Sequence, residues 1–239
     1  MTKRIVLFAC VVALVFSSCT RENYKKVRLA SMSIESVVVG GLTVNTTSDF
    51  LWEKNQLTAI SESMNGNPMS YEVYVYDGKN VVEVYEQSGK WHKYFTYQKD
   101  KLESFYETDA EGNTVISGKV LAFTKKGEIQ EMFYDNGYQK HHYFFTWENG
   151  DLVSAQDTRT DETGEVVTNY AYTYDNSPSV YTGMPIVQAI GDCFELATRG
   201  SKHNKTSEGY TYVYDDDNRL VSASKDNITV RYTYVDNEK

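Results

Sequence analysis

Residues 71–86 have the sequence YEVYVYDGKNVVEVYE, and this stretch decides the fold. Apolar and polar side chains alternate on both sides of a polar turn at residues 77–80, which is the pattern of a β-hairpin. An aromatic–x–aromatic pair, Tyr74 and Tyr76, comes before the turn, and an aliphatic residue, Val81, follows it. This arrangement is a signature that can be searched for along the rest of the chain.

The signature returns with a period in the twenties, which indicates one supersecondary unit used many times. Clear copies are Leu51-Trp52 with Leu57, Phe95-Thr96-Tyr97 with Leu102, Phe145-Thr146-Trp147 with Leu152, and Tyr212-Val213-Tyr214 with Leu220; weaker copies are Phe123 with Ile129, Tyr172-Thr173-Tyr174 and Tyr232-Thr233-Tyr234. Short turns join the hairpins, so neighbours in sequence should be neighbours in space. We predict an all-β fold, an antiparallel meander of about fifteen strands.

A sheet this wide must curl or split to hide its edges and its apolar face. A membrane-spanning barrel would show the same alternation and the same abundance of Tyr. Charged residues argue against that alternative because they lie in the middle of strands and fall on both alternating faces, which leaves no continuous lipid-facing band. These residues are Glu72, Glu83, Lys93, Glu103 and Glu131. We therefore predict a water-soluble, barrel-like sheet.

One connection, residues 176–208, is long. Pro185 stands where a first helical residue would be, and apolar side chains follow at helical spacing up to Gly200. These apolar residues are Ile186, Val187, Ile190, Cys193, Phe194 and Ala197. We predict one inserted helix over residues 184–198 that packs on or inside the sheet with Phe194 in the core, followed by an exposed loop at residues 201–208.

The N-terminus has the organisation of an export signal. Lys3 and Arg4 precede twelve apolar or small residues at positions 5–16, too few to span a bilayer as a helix. We predict a signal peptide over residues 1–18, directly before Cys19.

Ser17-Ser18-Cys19 resembles the lipobox of bacterial lipoproteins, Leu-Ala/Ser-Gly/Ala-Cys, with Phe16 in place of the leucine. The resemblance implies that Cys19 is lipidated and becomes the first residue of the mature chain; an ordinary signal with an incidental cysteine is the alternative. We predict a lipidated cysteine and tether over residues 19–30 and a single β-barrel-like domain over residues 31–239. Only Cys193 would then remain free in the mature protein, so no intramolecular disulfide is expected.

Charge excludes one class of partner. The formal net charge is −9, and without residues 1–19 the chain has 22 bases against 33 acids. A surface this acidic repels phosphate backbones, so we do not expect a nucleic-acid partner.

No motif for catalysis, cofactor or metal binding stands out. The histidines His92, His141, His142 and His203 lack zinc-site spacing, and residues 215–218 suit a hairpin turn better than a calcium loop. Carboxylate pairs are uninformative in a chain with 33 acids. We expect no catalytic residue, no metal and no cofactor, and a protein that is not an enzyme.

Three tryptophans are the candidate ligand-binding residues. Trp52, Trp91 and Trp147, with tyrosines of neighbouring hairpins, are suited to stack on sugar rings or to contact a protein partner. The alternative is that the aromatic rows line the interior of the barrel. The aromatic residues fall on one face of successive strands, which favours the interior.

Nearly the whole chain resembles a secreted Bacteroidetes lipoprotein family of unknown function with a porin-like β fold. The resemblance rests on the signal, the Tyr-rich hairpins, a late insertion near Cys193-Phe194, and Tyr210-Thr211-Tyr212-Val213-Tyr214-Asp215. More remotely, residues 212–222 are similar to the tyrosine–aspartate repeats of Rhs and teneurin shells. The first resemblance implies a wrapped sheet in a Gram-negative envelope and supplies no site residues.

We therefore expect a cell-envelope lipoprotein with a non-enzymatic binding or structural role. Its partners would be the membrane, through the lipid anchor, and a glycan or an envelope protein. A glycan-binding lipoprotein of a polysaccharide-utilisation system is the alternative, and an envelope hydrolase is the third. The expected location is the outer membrane or cell surface, with the periplasmic side left open.

Overall fold

The computed structural model describes residues 27–38, 41–206 and 209–236. These residues form seventeen strands, one 3-10 helix and one α-helix. The strands are β1 Val27–Val37, β2 Thr43–Glu53, β3 Gln56–Met64, β4 Asn67–Asp77, β5 Asn80–Glu86, β6 Trp91–Gln98, β7 Lys101–Asp109, β8 Thr114–Phe123, β9 Ile129–Asp135, β10 Lys140–Glu148, β11 Asp151–Asp161, β12 Gly164–Ala171, β13 Thr173–Pro178, β14 His203–Thr206, β15 Thr211–Tyr214, β16 Leu220–Lys225 and β17 Ile228–Asp236. The 3-10 helix η1 is Ile186–Ala189 and the helix α1 is Cys193–Arg199.

The predicted antiparallel meander is confirmed. Fifteen strands form one sheet in which β1 to β12 follow each other in order, β1 also pairs with β17, and β16 and β15 complete the series. Strands β13 and β14 form a separate ribbon within the long insertion. The sheet is not closed, because no pairing joins its edge strands β12 and β15 within the described part of the chain.

Tight turns close the hairpins. Lys54 and Asn55 both have positive φ (48° and 65°), and so do Lys99 and Asp100 (50° and 63°). Two central residues in this conformation make a type I′ turn, whose twist matches that of the flanking strands. Each of these turns lies next to a register shift at the aromatic residue before it, Trp52 or Tyr97. A bulge of this kind disrupts the ladder locally and turns backbone groups away from it.

The sequence signature is an interlock between consecutive hairpins. The aliphatic residue after the turn is buried, and its carbonyl accepts a hydrogen bond from the aromatic residue of the next hairpin. Tyr76 Oη donates to the Leu57 carbonyl at 3.0 Å, and Tyr97 Oη donates to the Val81 carbonyl at 2.8 Å. The same bond joins Trp147 Nε1 to Ile129 (2.7 Å), Tyr174 to Leu152 (2.7 Å) and Tyr234 to Leu220 (2.6 Å). The repeated rings therefore belong to the interior.

The sheet curls around the insertion. Tyr181 Oη reaches Met32 Sδ of β1 at 3.5 Å, and Gln188 Nε2 donates to Tyr74 Oη of β4 at 2.7 Å. On the far side, Tyr143 Oη of β10 donates to the Gly191 carbonyl at 3.4 Å. A single segment touches the inner face of strands this far apart only if the sheet rolls around it.

Mid-strand charges occupy both faces of the sheet, as predicted. Glu72 and Lys93 face the interior, where they line a cavity. His92 is the sequence neighbour of Lys93 and therefore points to the opposite face. It bonds Glu83 at 2.9 Å, which places Glu83 on the outer face as well.

One inserted helix is present, as predicted, but its predicted bounds, residues 184–198, are wrong. The chain forms η1, then an extended link at Ile190 (φ −73°, ψ 131°), and only then α1. Gly191 has φ +99°, and a Cβ at this position would lie 2.5 Å from the Tyr134 ring, so only glycine fits. Asp192 caps α1 by accepting the Phe194 N–H at 2.6 Å. Gly200 ends the helix, as predicted.

The break changes which side chains are buried. Val187, Ile190, Cys193 and Ala197 are in the core, as expected. Phe194 is not: it is 54% exposed. Because the chain is extended between η1 and α1, the two elements do not share one helical face. The face of α1 that packs on the core carries Leu196, which is 1% exposed, in place of Phe194.

Two boundaries also need correction. Residues 201–206 are not an exposed loop, because Ser201 and Asn204 are buried and β14 occupies His203–Thr206. Residues 27–30, predicted to be tether, are in β1, where Val27 and Leu29 are buried in the core. Residues 201–206 are all polar, and residues 27–30 offer only a short alternation, so neither stretch gave a clear signal.

The predicted signal peptide, Cys19 and tether residues 19–26 lie outside the described residues. Within the described ranges, no helix has the length and apolar character needed to cross a bilayer.

Candidate functional site

The main candidate site is a cavity of about 210 Å³ on the inner face of the sheet. Strands β1 to β6 form one wall, and η1 and α1 of the insertion form the other. Its apolar wall is built from core residues such as Phe50, Ile60 and Val187. Trp91 also lines the cavity, together with two carboxylates, Glu62 and Glu72, and two cations, Lys93 and Arg199.

Of the three predicted ligand-binding tryptophans, only Trp91 lines this cavity. Trp52 and Trp147 are half-buried and stand before turns, and their indole N–H groups donate to backbone carbonyls of Leu29 (2.8 Å) and Ile129 (2.7 Å). Trp91 instead begins β6, at the other end of a hairpin. The three rings therefore do not form one platform.

Two carboxylates face the cavity from adjacent strands. Glu62 accepts hydrogen bonds from Ser48 Oγ (3.2 Å) and Ser70 Oγ (2.9 Å). Glu72 accepts one from Tyr74 Oη at 2.9 Å. Burial raises the pKa of Glu72, and the nearby charge of Glu62 adds to the rise, although the Tyr74 bond opposes it.

The Tyr74 hydroxyl belongs to a directed chain of hydrogen bonds. Gln188 Nε2 donates to Tyr74 Oη at 2.7 Å, and Tyr74 donates to Glu72. Arg199 in turn donates to Gln188 Oε1 at 3.4 Å and to Glu195 Oε2 at 2.6 Å. Burial raises the pKa of Tyr74 well above its ordinary value, so the phenol remains a neutral donor.

Lys93 supplies a further positive charge from β6. Its Nζ lies 3.0 Å from Glu107 Oε2 and 5.9 Å from the centroid of the Trp91 ring. The cavity thus offers a flat aromatic ring, carboxylate acceptors and cationic donors within one enclosure. This combination can bind a small polar molecule by stacking on the ring and by hydrogen bonds that the protein both donates and accepts.

The histidines pair with acidic side chains. His142 pairs with Glu131 (2.8 Å) and His203 with Asp151 (2.7 Å), and His141 lies 3.0 Å from Asp157 beside another cavity. Residues 215–218 form a turn, as favoured, in which Asp215 accepts the backbone N–H of Asp217 and Arg219. Among the described residues, no group of three or more His, Cys, Asp or Glu is placed to hold a metal.

Sequence reasoning did not identify Glu62 and Arg199, and it treated Glu72 and Lys93 only as evidence against a lipid-facing band. The available signal was the phase of the alternation. Glu72 has the same phase as the buried Tyr74, and Lys93 has the same phase as the buried Phe95. Charges in phase with the core are the ones that line an interior site. Arg199 could not be found this way, because its position depends on the broken helix.

Comparisons with known proteins identify the fold. The crystal structure of a porin-like protein from Bacteroides uniformis ATCC 8492 matches with a TM-score of 0.55 at 14% sequence identity. The match covers 87% of this chain and 98% of that one. No protein-family model and no curated protein matches the sequence. The predicted porin-like fold is confirmed, and at this level of identity the likeness concerns the fold alone.

Proposed function

We propose that this protein is a cell-envelope lipoprotein with a non-enzymatic binding role, and that its ligand occupies the cavity beside Trp91. One observation carries the proposal: Trp91, Glu62, Glu72 and Lys93 line the same interior space. Charged groups at a core position lower stability unless they are paired. Their concentration at one place, with an aromatic ring among them, is typical of a binding site.

The ligand we favour is a monosaccharide or a short glycan end. The volume of about 210 Å³ is below the range of roughly 300–1,000 Å³ that is common for drug-sized ligands. A sugar presents hydroxyl groups that both donate and accept, and an apolar ring face that stacks on an aromatic side chain. Carboxylates at Glu62 and Glu72 would accept these hydroxyls, and Lys93 would donate to them.

An anchor at Cys19 supports a role in the envelope. The resemblance to the lipobox and the predicted export signal before it support the proposal of a lipid directly ahead of the domain. Multiple acyl chains, at about 0.8 kcal/mol per buried CH₂, hold a protein stably at a membrane. The porin-like fold of the Bacteroides uniformis protein is compatible with this location.

Calorimetric titration with a panel of neutral monosaccharides and disaccharides tests the proposal. We expect saturable binding of at least one sugar and a loss of at least tenfold in affinity for Trp91→Ala. Tyr138→Ala is the matched control, because Tyr138 is 89% exposed and lies outside the cavity. The proposal fails if no sugar binds, or if Trp91→Ala binds as tightly as the control.

A hydrolase is the second candidate, and the pair Glu62 and Glu72 favours it. Glycosidases use two carboxyl groups, one of which has a raised pKa and protonates the leaving group. Glu72 has that environment. If the bound sugar is part of a cleavable glycan, Glu72→Gln would retain binding and lose turnover; an absence of turnover in the wild type would leave the binding role.

A further inference from the structure

The charges around the cavity beside Trp91 are not balanced. Two cations line this cavity, Lys93 and Arg199, and each already has a carboxylate partner that is not part of the lining. Lys93 Nζ lies 3.0 Å from Glu107 Oε2, and Arg199 Nε lies 2.6 Å from Glu195 Oε2. The positive charge that faces the cavity is therefore largely compensated by the protein itself.

The two carboxylates of the lining lack such partners. Within the described ranges, Glu62 and Glu72 form no ion pair, and only hydroxyl groups donate to them. Ser48 and Ser70 donate to Glu62, and Tyr74 donates to Glu72. A neutral hydroxyl solvates a carboxylate but does not cancel its charge. The cavity therefore presents two negative charges that nothing in this part of the chain neutralises.

Both carboxylates have oxygen atoms that a bound group can reach. Glu62 pairs with Ser70 on the neighbouring strand, and Glu72 is the next residue on the same face of that strand, so the two acids are diagonal neighbours. Tyr74 donates only to Oε2 of Glu72; Oε1 has no hydrogen bond among the described residues and is not enclosed by protein atoms. Each oxygen of Glu62 accepts one hydroxyl and keeps a second lone pair.

The two acids disfavour each other's ionisation. Burial raises the pKa of Glu72 most, and the charge of Glu62 raises it further; Lys93 and Arg199 act in the opposite direction without reversing the rise. A cation bound between the two carboxylates would remove this repulsion. The net charge of −9 on the whole chain also favours the approach of a cation over that of an anion.

We propose that the ligand of this cavity is a sugar that carries a free amino group in its ammonium form. The inference rests on the proposed sugar-binding function and narrows the class of its ligand. The ammonium group would lie between Glu62 and Glu72, and the apolar face of the sugar ring would stack on Trp91. Charge-assisted hydrogen bonds are about twice as strong as neutral ones, so the amino group should decide which sugar binds best.

The test compares sugars that differ only in this group. Glucose, galactose and mannose are each titrated against their amino-deoxy derivatives, by calorimetry on the full chain purified in detergent, at pH 7, where most of the amino groups are protonated. We expect at least one amino sugar to bind at least tenfold more tightly than its parent sugar. N-acetylation of that amino sugar removes its charge and should abolish the gain.

Two variants locate the ammonium group. Glu62→Gln and Glu72→Gln each remove one negative charge and keep an acceptor, and each should lower the ratio of amino-sugar affinity to parent-sugar affinity at least threefold. Glu103→Gln is the matched control, because Glu103 is exposed and lies outside the cavity, and it should leave this ratio unchanged. Circular dichroism and melting temperature establish that each variant is folded.

The outcomes separate this inference from the proposed function. If parent sugars bind as tightly as every amino derivative, the inference is wrong and the sugar-binding function stands. If no sugar binds, with or without an amino group, the proposed function itself fails. A preference for the amino sugar that persists in both folded glutamine variants would place the ammonium group elsewhere and would also overturn the inference.

Discussion

At the residue scale, the fold depends on aromatic side chains that carry one polar atom. Tyr and Trp bury a ring in the interior and place an O–H or N–H against a carbonyl that the bulge has turned out of the ladder. This accounts for a tyrosine at positions 76, 97, 174 and 234, because Phe has no atom with which to form the bond.

Tyr97→Phe tests this interlock. The ring would stay in place, but the Val81 carbonyl would lose the donor that now lies 2.8 Å away. A half-buried acceptor left without a partner costs about 1–3 kcal/mol, so we expect the free energy of unfolding to fall by that amount in urea titrations. Tyr138→Phe, at a residue that is 89% exposed, should change it by less than about 0.5 kcal/mol. Equal stability of the two variants would show that the bond contributes nothing.

Glu72 gives a pH-dependent prediction. Burial raises its pKa in the folded state, so ionising Glu72 opposes folding once the pH passes the ordinary glutamate value of about 4.3. Glu72→Gln keeps an acceptor for Tyr74 and removes the charge. We expect it to raise the free energy of unfolding at pH 7, and to have a smaller effect at pH 3, where the carboxyl is largely protonated in both states. A destabilising effect at pH 7, or the same effect at both values, would contradict the assignment.

Some of the buried and site residues could be predicted from the sequence, and others could not. Leu57, Val81 and Leu152 follow from the repeated signature, because one hairpin pattern fixes the burial of many positions. Strand β14 could not be found, because it lies in a polar stretch whose path depends on contacts with distant strands. The interior role of Glu72 was accessible only through its phase with Tyr74.

At the element scale, the insertion is the part that local pattern described least well. Its apolar spacing is helical on both sides of Gly191, but the close approach of the Tyr134 ring requires a glycine with positive φ there. That contact joins residues 57 positions apart, so no local pattern contains it. The strands of the fifteen-stranded sheet were predictable because each one pairs with a sequence neighbour.

Two alanine variants distinguish the observed arrangement, η1 followed by α1, from the predicted continuous helix. Leu196 is 1% exposed, so Leu196→Ala should lower the free energy of unfolding by about 2–5 kcal/mol. Phe194 is 54% exposed, so Phe194→Ala should cost much less, about 1 kcal/mol or below. Chemical denaturation of both variants measures the difference. A larger loss for Phe194→Ala would restore the continuous helix with Phe194 in the core.

At the scale of the whole molecule, an open sheet rolls around its own insertion, and we propose that a lipid at Cys19 attaches it to a membrane. Cys19→Ala tests the attachment. The variant should be released from the membrane fraction, or its precursor should remain uncleaved, because the acylated thiol is the predicted anchor. Fractionation followed by intact-mass measurement checks this. A variant that is processed and fractionates like the wild type would rule out the anchor.

Above all, we propose that the rolled sheet binds a ligand in the cavity beside Trp91. The chain has 3 Trp, so replacing Trp52 and Trp147 by Phe leaves Trp91 as the only indole. The measurement is a titration of this variant with the sugar that binds the wild type most tightly, followed by tryptophan emission. We predict a saturable shift of the emission, with a midpoint that matches calorimetry on the same variant. Calorimetric binding without any change in Trp91 emission would place the ligand elsewhere and contradict the account.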